Sequence, residues 1–278
     1  MQHILIPTDY SLNAWNAIEY AFQFFNDEDI TFHLFHVETS HTIPRDENLH
    51  TAGFLSLYEI DNELQDEMAT LLEQASAKKR KKNHRIIAST VKGRFIERIR
   101  EYIKTNTIDL IIMGTKGASG IKEITVGSST GAVITKVKCP VLVIPEEATF
   151  TPPVNIGFPT DFNIPYTNKV LHALLSMAKP HQSTVKVLRV AQNQQPLNDF
   201  QNTNRLYLKD CLAEIDHSFH VVKDNNLEDA LQSFISSFKI DMVVMIAKSL
   251  NLFQRILFNP RVKKISYHTR IPFLVLHE

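Results

Sequence analysis

The chain repeats itself. Ile108, Asp109, Leu110, Ile111, Ile112 and Met113 align with Ile240, Asp241, Met242, Val243, Val244 and Met245, an offset of 132 (109 to 241). The same offset carries Pro140, Val141, Leu142, Val143 and Ile144 onto Pro272, Phe273, Leu274, Val275 and Leu276. The starts of the halves also match, Ile6, Pro7, Thr8, Asp9 and Tyr10 against Phe158, Pro159, Thr160, Asp161 and Phe162, at an offset of 152 (9 to 161). Matches at both ends of both halves, in the same order, mean one structural unit used twice. A length of 278 residues allows one or two domains at roughly 150 residues each, and the repeat selects two, over residues 1–148 and 153–278. Pro152 and Pro153 mark the linker, because consecutive prolines break both helix and ladder. From Asp9 to Asp109 is 100 positions and from Asp161 to Asp241 is 80, so the first half carries 20 more. The excess is expected around residues 39–60, where periodicity is weakest.

Each half reads as strand and helix in alternation. Residues 3–7, 31–37, 86–91, 108–113 and 141–144 have strand character. Ala14, Ile18, Ala21, Phe22 and Phe25 recur at helical spacing, as do Phe95, Ile96, Ile99 and Ile103, and further helices are expected over 64–82 and 129–136. The second half has helices near 170–178, 205–212 and 227–238. Fully apolar strands joined by helices predict an α/β fold with a parallel sheet covered on both faces. In such sheets ligands sit beyond the carboxyl ends of the strands, which directs attention to the loops after Pro7, Val37 and Met113.

Charge and composition exclude several classes. With 30 Lys+Arg against 30 Asp+Glu, no bulk field draws the chain to nucleic acid or to a membrane surface. No apolar run approaches the roughly 18 residues of a membrane span, and the first residues lack a secretory leader pattern. Cys139 and Cys211 form no disulfide or metal framework. A cytoplasmic protein with no nucleic-acid and no membrane partner is expected. Lys78, Lys79, Arg80, Lys81 and Lys82 read as the cationic end of a helix. The pairs His33/His36 and His217/His220 would point to opposite faces of a strand, against a metal site, and Cys139 reads as a small core residue.

After Met113 come Gly114, Thr115, Lys116 and Gly117, then nine residues, then Gly127, Ser128 and Ser129 at the start of a helix. Glycines admit positive φ and close approach of backbone N–H groups to an anion, and the helix N-terminus adds its dipole and free donors. Ser128 and Ser129 sit where hydroxyls cap the helix or bond phosphate oxygens. The arrangement suits a triphosphate, although it lacks the Gly-Lys-Ser/Thr triplet of a Walker loop; the alternative is a purely structural loop. Lys116 either reaches a phosphate or stays solvated, and Asp9 could serve solely as N-cap of the helix beginning near Leu12.

The spacing Gly-x2-Gly-x9-Gly-Ser, with Ile-Pro-Thr-Asp-Tyr-Ser at the first strand end and Cys-Pro-Val-Leu-Val-Ile at the last strand, resembles the universal stress protein family, as a tandem of two such domains. The resemblance implies flavodoxin-like, adenine-nucleotide alpha-hydrolase-like domains, each a five-stranded parallel sheet of order 3-2-1-4-5. It also implies binding of ATP or a related adenine nucleotide, with Mg2+ as accompanying ion, and dimerisation through the last strand. By similarity Asp9, with Pro7 and Thr8, would hold the ribose or adenine end, and Val37 would present backbone to the adenine. Met113 and Gly114 would line the site, and Gly117, Gly127, Ser128 and Ser129 would hold the phosphates.

The second half departs from this pattern at every glycine: Ile246, Ser249, Asn259 and Pro260 stand at the positions of Gly114, Gly117, Gly127 and Ser128. One nucleotide site per chain, in the first half, is the expectation. Pairing of residues 141–144 with 273–276 would make an intramolecular pseudo-dimer and leaves room for a homodimer of chains. The implied role is a stress-response sensor or interaction module, dependent on nucleotide, with an unidentified protein partner. A slow ATPase and a nucleotide-free scaffold are the alternatives, and no positioned general base supports efficient turnover.

Overall fold

In the computed structural model, which describes residues 2–39, 62–78, 83–115, 128–191, 196–223, 227–247 and 270–277, the chain divides into two compact units. Described residues up to Cys139 form the first and those from Pro140 onward the second.

In the first unit, strands β1 (Gln2–Pro7), β2 (Ile30–Glu38), β3 (Arg85–Lys92) and β4 (Leu110–Gly114) are parallel in the order β3-β2-β1-β4. Helices α1 (Leu12–Phe24), α2 (Asn62–Ala77), α3 (Phe95–Asn106) and α4 (Ser128–Lys136) connect and follow them. The sequence explains which strands are central. Ile4, Leu5 and Ile6 of β1 and Ile111 and Ile112 of β4 are wholly buried, whereas β3, with Arg85, Ser89, Thr90 and Lys92, is only partly covered, as an edge strand should be.

The second unit holds β5 (Val141–Ile144), β6 (Asn155–Pro159), α5 (Asn168–Ala178), β7 (Thr184–Ala191), α6 (Asp199–Cys211), β8 (His217–Lys223), α7 (Leu227–Phe238), β9 (Met242–Ile246) and β10 (Phe273–Leu276). Its parallel strands run β8-β7-β6-β9-β10, the order 3-2-1-4-5 within the repeat. Beyond β10 lies β5, antiparallel to it, with Leu274 opposite Leu142. A strand that belongs by sequence to the first repeat thus completes the edge of the second unit.

Repeat and structure coincide at α3 and α7, whose bounds differ by 132 at both ends (95 to 227, 106 to 238), as do those of β4 and β9 and of β5 and β10. Each helix is followed by a left-handed residue, Thr107 at φ 50° and Lys239 at φ 49°. The next residue then closes the same bond, Ile108 N–H to Ile103 C=O at 3.2 Å and Ile240 N–H to Ile235 C=O at 3.0 Å.

Several boundaries differ from expectation for identifiable reasons. α2 ends at Ala77; Lys78 follows it, paired with Glu19 and lying over the Trp15 ring, and residues 79–82 lie outside the described residues. β4 begins at Leu110 because Asp109 spends its backbone and side chain on His3. α6 begins at Asp199, six residues before the apolar signal, because Asn198 and Gln201 form a reciprocal capping box. The extra length of the first half falls where expected: 23 positions separate Glu38 from Asn62, against 7 between Ala191 and Asp199. Of these, residues 40–61 lie outside the described residues. Cys139 is a buried core residue, 2% exposed, with its thiol directed at the Ile108 carbonyl.

Candidate functional site

The site grows from the end of β1. Pro7 is the last residue paired with β2, opposite Phe35, and the Thr8 N–H still donates to the Phe35 carbonyl at 2.9 Å. Tyr10 then takes a left-handed conformation, φ 62°, which turns its N–H onto Thr8 Oγ1 at 3.1 Å. Asp9 Oδ1 accepts from the Ser11 hydroxyl at 2.6 Å and the Ser11 N–H at 3.2 Å, while Ser11 Oγ accepts from the Ala14 N–H at 3.2 Å. The N-cap of α1 is therefore Ser11, and Asp9 acts one step back by orienting the capping hydroxyl.

His36 and Tyr10 brace this turn. His36 Nδ1–H donates to the Thr8 carbonyl at 2.8 Å, which sets its tautomer, and its ring lies 4.6 Å from that of Tyr10. Burial raises the Tyr10 phenol pKa, the neighbouring Thr90 hydroxyl opposes the rise, and Glu67 adds to it.

Beside the turn, β2 outlasts β1 by three residues. The Phe35 carbonyl faces β1 and the Glu38 carbonyl faces β3, where it accepts from the Gly93 N–H at 3.0 Å. Backbone groups alternate sides along a strand, so the N–H and C=O of Val37 point toward the β1 side, past the place where β1 has turned away.

Met113 is buried at the end of β4, and Gly114 follows. A Cβ at Gly114 would lie 2.9 Å from the backbone oxygen of Asn13 in α1. Glycine is needed here for room rather than for positive φ, which Gly114 does not adopt. Thr130, buried in the first turn of α4, donates from Oγ1 to the Gly114 carbonyl at 2.8 Å and so ties the N-terminus of α4 to the end of β4. Ser128 opens that helix and Ser129 is exposed beside it.

The structure thus gathers Pro7, Thr8, Asp9, Val37, Met113 and Gly114 at the carboxyl ends of β1, β2 and β4, with Ser128 and Ser129 at the helix terminus held to them. Lys116, Gly117 and Gly127 lie outside the described residues. Sequence reasoning missed Asn13, His36 and Thr130. Thr130 had a signal, since a hydroxyl two residues after Gly-Ser is placed to reach back, whereas nothing local marks Asn13. Among the described residues, no group of three or more His, Cys, Asp or Glu is placed to hold a metal ion, and no helix is long and apolar enough to cross a membrane.

The second unit repeats the turn and then diverges. Thr160 N–H donates to the Leu188 carbonyl at 2.8 Å, Phe162 has φ 60°, its N–H meets Thr160 Oγ1 at 3.1 Å, and Asn163 N–H meets Asp161 Oδ1 at 2.9 Å. Yet eight residues separate the end of β6 from the start of α5 at Asn168, where four separate β1 from α1 (160–167 against 8–11). The extra residues bring in Tyr166, buried and bonded to Thr160 Oγ1 at 2.6 Å, its pKa pushed up to about 12 chiefly by burial. From α6, Gln201 donates to the Asp161 carbonyl and buried Asn204 to the Phe162 carbonyl, each at 2.8 Å. At the position of Gly114 stands Ile246, 5% exposed. Tyr166, Gln201 and Asn204 thus pack against the turn that follows β6. The second-half positions Ser249, Asn259 and Pro260 lie outside the described residues.

The model of the universal stress protein family matches residues 1–145. The chain belongs to the universal stress protein family. A universal stress protein of Methanocaldococcus jannaschii is 34% identical over 155 residues, covering 51% of this chain and 93% of the relative. Universal stress protein YxiE of Bacillus subtilis is 33% identical over 86 residues, covering 31% of this chain and 58% of its own length. Among solved structures, a universal stress protein from Archaeoglobus fulgidus superposes over 99% of this chain and 98% of its own, with a TM-score of 0.67 at 19% identity. At that identity the superposition speaks for the fold, and it extends the family's fold over both repeats.

Proposed function

We propose that the first repeat binds an adenine nucleotide, ATP with Mg2+, and that the chain acts in the stress response as a nucleotide-dependent sensor or interaction module for another protein. The observation that carries this reading is the overhang of β2. The Val37 C=O and N–H present one acceptor and one donor at the sheet's carboxyl edge, the complement of adenine's amino group and ring nitrogen. Gly114 admits close approach of α1 to β4, and the N-terminus of α4 supplies the donors and dipole that favour phosphate. In this reading Pro7, Thr8 and Asp9 hold the ribose end, Met113 lines the site, and Lys116, Gly117, Gly127, Ser128 and Ser129 hold the phosphates. The bound nucleotide supplies its phosphate charge as the signal, and the chain's residues bind and orient it.

We further propose that residues 1–148 and 153–278 act as two domains of an intramolecular pseudo-dimer joined through the last strand of each repeat, with the second as structural partner, in a reducing cytoplasm that suits the thiols of Cys139 and Cys211. Ile246 and Tyr166 support a single nucleotide site per chain, and further association into a homodimer belongs to the same design.

Calorimetric titration of the nucleotide-stripped protein with Mg-ATP tests the reading, with Gly117→Val plus Gly127→Val in parallel. Saturable binding at one site per chain, lost in the double variant, is expected. No heat at millimolar ATP would leave a scaffold without nucleotide.

A further inference from the structure

A second feature lies at the opposite end of the first unit's sheet, where α3 and α4 deliver the chain to the strands that follow. Arg100, Ile103 and Lys104 of α3 meet Lys136, Val137 and Lys138 around an open cavity of about 400 Å3. That volume is within the range of small-molecule sites. Arg100 is fixed in place, since Nε and Nη2 both donate to the Lys136 carbonyl, at 2.8 and 2.5 Å. Two of its five N–H donors are thereby used and three remain for a ligand.

The charge at this cavity is one-sided. The carboxylates of α3 are engaged elsewhere, Glu97 with Arg94 and Glu101 with Arg98. Cations at a helix C-terminus ordinarily answer the helix dipole, about half a negative charge at each of the two ends here. Four full positive charges exceed that by about three. The repeat supplies an internal control. α7 has the same bounds, the same left-handed cap and the same dipole as α3, yet its last turn carries no basic residue. Gln232 and Ser236 stand at the positions of Arg100 and Lys104. That helix end carries one cation, Lys239 in its cap, and does without cations at the positions of Arg100 and Lys104.

We infer that this cavity is an anion site for a small molecule carrying two or more phosphate groups. The fixed guanidinium gives bidentate recognition of phosphate oxygens, and the three lysines act as point charges. Ile103 and Val137 form its apolar floor. The site lies at the amino ends of the strands, apart from the proposed nucleotide site at their carboxyl ends, so the two fail or stand separately.

Inorganic tripolyphosphate titrated into the whole chain by calorimetry at low ionic strength tests this, with amide shifts of Val137 and Lys138 read by NMR. The decisive variant is Arg100→Gln with Lys104→Ser, the residues that α7 already carries in the same helix. Expected are one saturable site, shifts at both amides, and affinity weakened at least about tenfold in this variant, with little change in Gly117→Val plus Gly127→Val. In that glycine variant, ATP binding as well as tripolyphosphate identifies a nucleotide's phosphate tail as the ligand, and ATP binding much more weakly identifies free oligophosphate. Absence of saturation at millimolar tripolyphosphate overturns the inference. So does affinity unchanged by the α3 substitutions, or affinity lost in the glycine variant alone.

Discussion

Asp109 and His3 hold each other at both ends: the Asp109 carboxylate accepts from the His3 backbone N–H at 2.8 Å, and the Asp109 N–H donates to the His3 carbonyl at 2.9 Å. Asp241 and Asn155 do the same in the second unit, at 2.8 and 2.9 Å. The aspartate that opens the fourth strand of each repeat thus fixes the register of that strand against the first.

Replacing Asp109 with Ala removes the charge-assisted half of this clamp at an exposed position, with an expected loss of about 1 kcal/mol. Asp241→Ala should cost a similar amount. Urea midpoints of the two variants check this, and a loss in only one would show that the clamps are not equivalent.

His33 links β1, β2 and α3. It is 1% exposed, its Nε2 lies 2.9 Å from His3 Nδ1 and its Nδ1 lies 3.0 Å from the Tyr102 hydroxyl. Burial, and then the charge of His3, lower its pKa from 6.5 to about 4. The folded state resists a proton that the unfolded chain accepts, so stability is full above about pH 6.5 and declines as pH falls toward 4, by at most about 3 kcal/mol. Urea melts at pH 7.5 and pH 5 should show the decline in the wild type and a smaller one in His33→Gln.

Gly114→Ala places a methyl 2.9 Å from the Asn13 oxygen and 3.2 Å from its carbonyl carbon, both backbone atoms. Relief requires moving the start of α1, at an expected cost of about 1–3 kcal/mol. Thermal melts measure the cost, and weakened Mg-ATP binding in the same variant would follow from displacement of the turn at Thr8 and Asp9.

Tyr166→Phe deletes the hydroxyl bonded to Thr160, an expected loss of about 1 kcal/mol near neutral pH. With a folded pKa of about 12 against 10 unfolded, Tyr166 favours the folded state below pH 10, and that contribution is lost as pH rises toward 12. Unfolding followed from pH 9 to pH 12 should therefore be less steep in the variant.

The apolar strands and the repeat made the fold legible, because a parallel sheet buried on both faces writes itself as runs such as Leu110 to Met113 and Val141 to Ile144. The site was legible as far as it depends on residues near one another in sequence, such as Thr8, Asp9 and Ser129. What escaped depends on contacts between distant segments. Gly114 is a glycine on account of Asn13, a hundred residues earlier. The cations of α3 acquire meaning only when α4 brings Lys136 and Lys138 beside them.

The pairing of β5 with β10 has a consequence for synthesis. Val143 and its partner Phe273 are 130 positions apart, so at a translation rate of 5–20 residues per second β5 waits roughly 6 to 26 s for the strand that covers it. During that interval an apolar strand faces the cell with an open edge, and a nascent chain stalled before Phe273 would present it indefinitely.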